Sequence, residues 1–362
     1  MTSTLGSYVR RVFAVHVLVA LAGLVLLAQL FDLLASAEEL FKLHGADWRV
    51  AVRYLWLRLP ALLVLLLPFA TLLGSLTAFA QLARRHEVVA MKASGLPFLR
   101  LPAMLLPALI LLALAQWVLA DRIAPPVLQR LFVWQTAAQL AREDPAEVGE
   151  RPSLWLRTGG DVIGVTAVLD QGRHLYGMQL YQRQPSGALS ARTVAREAVY
   201  ADGLWRLRDG SYLPVLRSGS PAPQPFEERP WATALRPHEI LTLAMPPAML
   251  PLGELRRMIG QADLGHLPDY VYATHWHHGL AVVASPFLMG LLGVPAAQLL
   301  RRRGGIALPV ALALALGFIY LLVDGVLVGL GEAGVLPPPL AGWAALGLFG
   351  CLAGTALLWA DR

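Results

Sequence analysis

Residues 59–95 read LPALLVLLLPFATLLGSLTAFAQLARRHEVVAMKASG, an uncharged apolar run followed by a short charged segment. The apolar part, Leu59–Gln81, is long enough to cross a membrane, because the hydrocarbon core needs about 20 helical residues at about 1.5 Å each. The run therefore predicts a transmembrane helix. The charged segment behind it predicts a short helix outside the hydrocarbon core.

Five more apolar runs of this kind occur, and the polar residues 121–270 separate the third run from the fourth. In chain order the six runs are Val12–Leu34, Leu59–Gln81, Leu101–Ala120, Gly279–Leu299, Ile306–Gly329 and Leu340–Trp359. We therefore expect an α+β membrane protein with three domains. Residues 1–120 would supply spans one to three, residues 121–270 an inserted outer domain, and residues 271–362 spans four to six.

The composition agrees with a membrane protein. The chain is 56% hydrophobic and 15% charged, whereas soluble domains carry roughly 25% charged residues. Cys351 is the only cysteine, so the outer domain has to fold without a disulfide. We interpret the first run as a retained span, because it is too long for the apolar part of a signal peptide and Phe31-Asp32-Leu33-Leu34 follows it directly.

The basic residues predict the orientation, because cytoplasmic flanks of membrane spans are enriched in Lys and Arg. One set of flanks carries Lys42, Arg49, Arg53 and Arg58. The opposite set is larger and consists of Arg10, Arg11, Arg84, Arg85, Lys92, Arg100, Arg301, Arg302, Arg303 and Arg362. Both termini are therefore expected in the cytoplasm and the middle domain on the other side. That domain is neutral, with as many basic as acidic residues, and nothing in it indicates nucleic-acid binding.

The middle domain has the pattern of a β structure. Short runs rich in β-branched, aromatic and Leu residues alternate with Gly, Asp and Pro turn signals. The expected strands are Ser153–Thr158, Val162–Leu169, Leu175–Gln182, Ala191–Tyr200 and Leu204–Val215. Strands at this regular spacing favour a sandwich or jelly roll. We expect Pro125–Arg142 to extend span three as a helix, Ser218–Gln224 to be a long connection, and Glu254–Gln261 to be a short helix.

Motifs of catalysis and nucleotide binding are missing from the sequence. No Walker G-x-x-x-x-G-K-[ST] loop, H-E-x-x-H, C-x-x-C or G-x-S-x-G occurs. His275 and His278 stand three residues apart at the outer entrance to span four and could share a metal. The interpretation we favour is an interfacial polar cap beside Trp276, so no metal site is predicted.

The segment after span two combines charge with an amphipathic pattern. Arg84, Arg85 and Glu87 precede the apolar Val88 and Met91. Together they predict a helix over about 82–96 that stops near Gly95-Leu96-Pro97. From these residues alone, such a helix either rests on the membrane surface or docks into a groove on another protein.

Several phrases of the sequence resemble one known family. They are LPFATLLGSLTAFA (67–80), AQLARRHEVVAMKASG (80–95), AQWVLADRIAPP (115–126), GFIYLLVDGVLVGL (317–330) and GVLPPPLAGW (334–343). They are similar to the LptF/LptG permeases of lipopolysaccharide export, and the likeness covers essentially the whole chain. The strands from SLWLRTGGDVIGV (153–165) to ARTVAREAVYADGLWRLRD (191–209) are more similar to the LptG branch than to the LptF branch.

The resemblance implies a transport role without catalysis by this chain. The fold would be six transmembrane helices with a periplasmic β-jelly-roll domain between helices three and four, in the bacterial inner membrane. The expected partners are the LptF permease, two copies of the LptB ATPase, LptC, lipopolysaccharide and the periplasmic LptA bridge. ATP and Mg would be bound by the ATPase, and no cofactor by this chain.

The resemblance also implies residue roles. Glu87 matches the acidic coupling residue of the family, with Arg84, Arg85, Val88 and Met91 as ATPase contacts and Gly95 as the helix stop. The alternative for Glu87 is a solvated charge at a helix N-terminus. For the lipid, the expected wall residues are Leu27, Phe31, Phe69, Leu72, Phe318 and Leu321.

The ionisable residues in and near the spans allow more than one role. Asp324 inside span five is either a cavity or subunit-interface residue, or it makes a capping or helix-pair hydrogen bond. A proton relay would need partners, and we expect none in the neighbouring spans. The family's lysines at the outer end of span one are absent here, so Lys42, Arg49 and Arg53 are the candidate phosphate contacts. Two other functions remain possible from the sequence: a secondary transporter and a scaffold that displays the outer domain.

Overall fold

The computed structural model describes residues 2–45, 47–93, 100–141, 154–158, 161–184, 187–215, 222–233, 235–260, 267–299 and 307–360. The chain forms two compact units. The helical unit comprises residues 1–37, 55–126 and 273–362, and the second unit comprises residues 38–54 and 127–272. The second unit thus contains the turn between the first two helices as well as the inserted domain.

Ten α-helices are described, and five of the six that follow apolar runs are longer than those runs. In chain order they are α1 (Thr2–His44), α2 (Trp48–Arg84), α3 (Glu87–Ala93), α4 (Arg100–Trp117), α5 (Ala124–Leu140), α6 (Pro237–Ala244), α7 (Leu252–Met258), α8 (Asp269–Leu299), α9 (Ala307–Glu332) and α10 (Pro338–Ala360). A π-helical segment, Val118–Ile123, joins α4 to α5, so the helical extension of span three is present as expected. Six helices of the described chain are long and apolar enough to cross a membrane.

Two spans form the centre of the helical unit. Half of the most apolar window is buried in α2 and in α8, against 6% in α1 and 17% in α9. At one end, α2 packs with α1, α3, α4 and α8 through a core that includes Phe13, Phe79 and Leu105. Further along, α2 packs with α8, α9 and α10 through a core that includes Leu76 and Tyr320.

Small residues allow these helices to approach closely, as is usual where a bilayer supplies no hydrophobic force between helices. A Cβ atom on Gly74 would lie 2.6 Å from the Cα atom of Val17, so α2 touches the backbone of α1 there. The hydroxyl of Ser75 donates a 2.7 Å hydrogen bond to the carbonyl of Gly290 on α8. The side-chain amide of Gln116 donates to the carbonyl of Val64, which joins α4 to α2.

The inserted domain is built on one antiparallel sheet. Its strands are β1 (Leu154–Thr158), β2 (Asp161–Val165), β3 (Ala167–Leu169), β4 (His174–Arg183), β5 (Leu189–Ala201), β6 (Leu204–Pro214) and β7 (Gln224–Trp231). They are paired in the order β1-β2-β4-β5-β6-β7, and β3 also pairs with β4. Thr166 separates β2 from β3, so the single predicted strand Val162–Leu169 is interrupted. The predicted fold class, six apolar helices with an inserted β domain, is confirmed.

The sequence analysis missed β7 and α6. Gln224 starts the strand β7 rather than ending a connection, and the strand contains Pro225 and Pro230. A proline donates no ladder hydrogen bond, so it fits only at a sheet edge, and β7 is the edge beside β6. The predicted helix Glu254–Gln261 is α7, which starts two residues earlier and ends at Met258.

Aromatic residues fill the core of the inserted domain. Trp205 is almost fully buried, lies opposite Trp231 in the sheet and has its ring 5.2 Å from that of Tyr200. Its indole N–H donates a 2.9 Å hydrogen bond to the carbonyl of Leu235. Because the buried indole has its polar group satisfied, it fixes the segment before α6 on the sheet.

Candidate functional site

The turn between α2 and α3 is compact. Helix α2 continues through Arg84, and α3 starts at Glu87, so Leu82 belongs to α2 and not to the short helix. Between them His86 adopts a left-handed backbone with φ of 58°, and its carbonyl accepts the N–H of Ala90 at 3.0 Å. The predicted single helix over about 82–96 is therefore two helices with a sharp turn. Gly95 lies outside the described residues.

Glu87 occupies the first turn of α3, where a carboxylate is favoured by the helix dipole. Its Oε1 atom accepts a 3.2 Å hydrogen bond from the hydroxyl of Tyr8 on α1. The side chain is half-buried, whereas Arg84 and Arg85 are exposed. The turn thus places one carboxylate, held on α1, beside two exposed guanidinium groups.

Val88 and Met91 form the buried face of α3. Both are buried, with 4% and 7% of their surface exposed, in the same core as Val9 and Leu82. Their position is that of anchors that hold α3 on α1, α2 and α4, rather than that of exposed contacts for a partner. An amphipathic pattern alone could not separate these two roles.

Three of the predicted lipid-wall residues form exposed apolar surface. Leu27 and Phe31 on α1 and Phe318 on α9 each expose more than half of their surface. They therefore are available to lipid or to a second membrane protein.

The other three wall residues are less accessible. Leu72 is 1% exposed and packs in the core around α2 and α8, so it faces the protein interior and not a lipid. Phe69 is half-buried and lies against Gly317 of α9, where a Cβ atom would approach its ring to 2.4 Å. Leu321 is also half-buried.

Asp324 has a partner in the neighbouring span, and our expectation that it has none is wrong. Its Oδ2 atom lies 2.9 Å from Nε2 of His278 on α8. His278 is nine residues after the start of α8, and Asp324 is eight residues before the end of α9. At 1.5 Å per residue the two lie at a similar depth, about 12–14 Å from the same end of two successive spans.

A second histidine–carboxylate pair joins the same two helices closer to this end. Nε2 of His275 lies 2.6 Å from Oε1 of Glu332, the last residue of α9. The two histidines therefore each face a carboxylate of α9 and do not face each other as metal ligands. Within the described residues no group of three or more metal-ligating side chains occurs.

The candidate phosphate contacts lie around the turn between α1 and α2. The ammonium of Lys42 pairs with Glu38 at 2.5 Å. The guanidinium of Arg53 lies 5.0 Å from the ring centroid of Trp134, and His44 stacks on that ring at 3.8 Å. Arg49 lies 5.9 Å from the ring centroid of Trp48. The two arginines thus lie over aromatic rings, whereas Lys42 is paired with a carboxylate.

The comparison with known families now bears on these sites. Residues 7–359 match the sequence model described as lipopolysaccharide export system permease LptF/LptG. The chain belongs to the LptF/LptG family. As a member it is a multi-pass inner-membrane component of the lipopolysaccharide export system, and the family is generally non-catalytic. No individual curated protein matches the chain.

Three contacts of these sites were not predicted from the sequence. Tyr8 and Glu332 were not singled out, and His278 was singled out without its partner; the contacts join residues 46 to 79 positions apart. For the two pairs that join His275 and His278 to α9, the sequence did contain a signal. Successive spans run in opposite directions, so ionisable residues at equal depth from one membrane face are expected to meet. For Tyr8 no such signal exists.

Proposed function

We propose that this chain is the LptG-like permease subunit of an ATP-driven lipopolysaccharide exporter. It would extract lipopolysaccharide from the outer leaflet of the inner membrane and pass it to a periplasmic bridge. The family match over residues 7–359 supports the export role. The LptG assignment is supported by the likeness of the strands of the inserted domain.

The orientation supports a cytoplasmic energy source. The flanks on the same side of the membrane as the α2–α3 turn carry nine of the twelve arginines outside residues 121–270, and basic flanks face the cytoplasm. In this orientation the turn meets the compartment that contains ATP, and the β domain faces the periplasm. The chain has no Walker motif, so a separate ATPase, with ATP and Mg, has to supply the energy.

The geometry of α3 suits it to transmit movement. Glu87 and the exposed Arg84 and Arg85 would contact the ATPase, because a carboxylate beside guanidinium groups offers both signs of charge to a partner. Val88 and Met91 pack α3 into a core shared with α1, α2 and α4. Since packed cores respond as rigid bodies, a displacement of α3 would move these spans together.

The exposed apolar faces of α1 and α9 suit the lipid chamber. Leu27, Phe31 and Phe318 would line one wall, and the LptF permease would supply the other. Acyl chains need such a wide apolar surface, whereas the phosphates need cations at the outer end. Lys42, Arg49 and Arg53 are the candidates on this chain. LptC and the LptA bridge would receive the lipid beyond the β domain.

One observation favours a second candidate, a secondary transporter driven by protons. Ionisable residues within spans often mark proton or ion pathways, and the His278–Asp324 pair lies within two spans. Against this candidate, the described spans present only short local pairs and no chain of ionisable groups across the membrane. The exporter coupled to an ATPase therefore remains our proposal.

Affinity purification of the intact chain from its native membrane tests the partner assignment. We expect an ATPase subunit and a second permease to co-purify in stoichiometric amounts. A photo-crosslinking residue at Arg85 should attach to the ATPase, and the matched control at Leu204, an exposed residue of the β domain, should not. Purification without any ATPase, or equal crosslinking at both positions, would overturn the proposal.

A further inference from the structure

A basic cavity lies within the inserted domain. Its volume is about 430 Å³, and its lining residues are Gln129, Gln171, Arg173, Tyr200, Arg236, Pro237, His238 and Leu241. Sites for small ligands commonly have volumes of roughly 300–1,000 Å³. The cavity is therefore large enough for a small polar ligand.

The walls of this cavity are held by close backbone contacts. Gly172 follows Gln171 with φ of +88°, and a Cβ atom on it would approach the carbonyl oxygen of Pro237 to 2.0 Å. Only glycine fits there, so the turn before β4 is pressed against the start of α6. The N–H of Tyr200 donates a 2.9 Å hydrogen bond to the carbonyl of Arg173, which fixes that residue beside β5.

The charged side chains that line the cavity are all basic. The cavity is lined by two arginines and a histidine, and none of its lining residues is acidic. Among the described residues, neither the Arg173 nor the Arg236 guanidinium forms an ion pair with a carboxylate. Glu239 of α6 accepts the backbone N–H of Arg236, and Glu254 of α7 pairs with Arg257 and with the lining residue His238.

These residues fit one chemical class of ligand. Two guanidinium groups match the oxygen geometry of a phosphate. The amides of Gln129 and Gln171 and the hydroxyl of Tyr200 offer hydrogen bonds to sugar hydroxyls. Pro237 and Leu241 add a small apolar surface against which a sugar ring packs. Six of the eight lining residues carry polar or charged groups, which favours a polar ligand over an acyl chain.

We propose that this cavity binds a phosphorylated sugar. The identification of that sugar as the headgroup of the transported lipid rests on the proposed export function, whereas binding itself does not. The site would then hold the phosphate end of the lipid on the inserted domain after it leaves the chamber.

Calorimetric titration of the purified full-length chain in neutral detergent tests this site. The probes are glucose 6-phosphate, inorganic phosphate and glucose. We expect glucose 6-phosphate to bind at least tenfold more tightly than inorganic phosphate, and glucose to give no binding. Equal binding of inorganic phosphate would overturn the sugar assignment, and absence of phosphate-dependent binding would overturn the site.

Substitutions of the lining residues test whether glucose 6-phosphate binds in this cavity. Arg173→Gln with Arg236→Gln should weaken glucose 6-phosphate binding at least tenfold, and Arg196→Gln, an exposed arginine on β5, should leave it unchanged. If the double variant fails to fold, Gln171→Glu places a repelling carboxylate at an exposed position and should give the same loss. Unchanged binding in the folded variants would overturn the site.

A photo-crosslinking residue at Gln171 in cells distinguishes the sources of the sugar. Crosslinks to lipopolysaccharide support the lipid headgroup, and crosslinks to soluble sugar phosphates alone overturn it. The titration needs neither ATPase nor transport. A chain that binds glucose 6-phosphate but exports nothing therefore refutes the proposed function alone, and a chain that exports but does not bind refutes the cavity alone.

Discussion

The contact between α1 and α2 at Gly74 makes a quantitative prediction. In Gly74→Ala the new Cβ atom would lie 2.6 Å from the Cα atom of Val17, whereas carbon atoms pack at about 3.5 Å or more. The two helices would have to separate by about 0.9 Å at this point. Because the close atoms belong to the backbone of α1, no side-chain rotation relieves the clash.

The loss of stability expected for Gly74→Ala follows from the packing at this contact. Inserting a methyl group into a tight core typically costs about 1–3 kcal/mol, while Gly→Ala within a helix gains about 1 kcal/mol of helix propensity. Gly325→Ala on α9 is the matched control, since a Cβ atom there meets nothing within 4 Å. Both variants gain the same propensity, so the difference between them isolates the steric cost.

The assay is unfolding of the purified chain in mixed detergent micelles by titration with dodecyl sulfate, followed by circular dichroism. We expect Gly74→Ala to be about 1–3 kcal/mol less stable than Gly325→Ala. Equal stability of the two variants would refute the close packing of α1 on α2. It would also remove the rigid connection by which α3 is proposed to move α1.

Two further predictions concern the spans and the β domain. Asp324→Asn should keep the rate of ATP-driven transport within about twofold of wild type, because the pair of Asp324 with His278 joins α8 to α9 and carries no proton current. Transport rates measured with and without a proton gradient test this. Trp205→Ala should destabilise the β domain by about 3–5 kcal/mol, since it leaves a cavity in the core and removes the hydrogen bond to Leu235. Urea unfolding followed by the circular dichroism of the β-sheet tests this.

Each of these has an outcome that contradicts it. Loss of transport in Asp324→Asn, together with dependence of wild-type transport on a proton gradient, would favour the secondary transporter. For the β domain the control is Trp155→Ala, because Trp155 is 41% exposed. Equal destabilisation by the two tryptophan variants would mean that Trp205 is not the core residue described.

The spans were predictable because long uncharged runs have few alternative structures. Their ends were not, since α1 and α2 continue as helices beyond the apolar runs, with charged residues such as Lys42 and Arg53. Strands of the sheet with strong β-branched or aromatic patterns were found. The edge strand β7 was missed, because Pro225 and Pro230 argue against a strand unless its edge position is known.

Part of the candidate site was likewise predictable from the sequence, and part was not. The charged turn before α3 was visible in the sequence, as Arg84, Arg85 and Glu87 stand together. The burial of Val88 and Met91 was not, since an apolar stripe looks the same whether it meets its own chain or a partner. The His278–Asp324 pair depends on the alignment of two separate spans, which local patterns do not fix.

The most direct test of the account measures whether Glu87 couples ATP hydrolysis to lipid movement. Proteoliposomes with the full exporter would be assayed for ATP hydrolysis and lipopolysaccharide release, with Tyr8→Phe as a control that removes only the internal hydrogen bond of Glu87. We predict that Glu87→Ala still hydrolyses ATP but releases lipid at least tenfold more slowly, while Tyr8→Phe behaves like wild type. Wild-type release by Glu87→Ala would contradict the account.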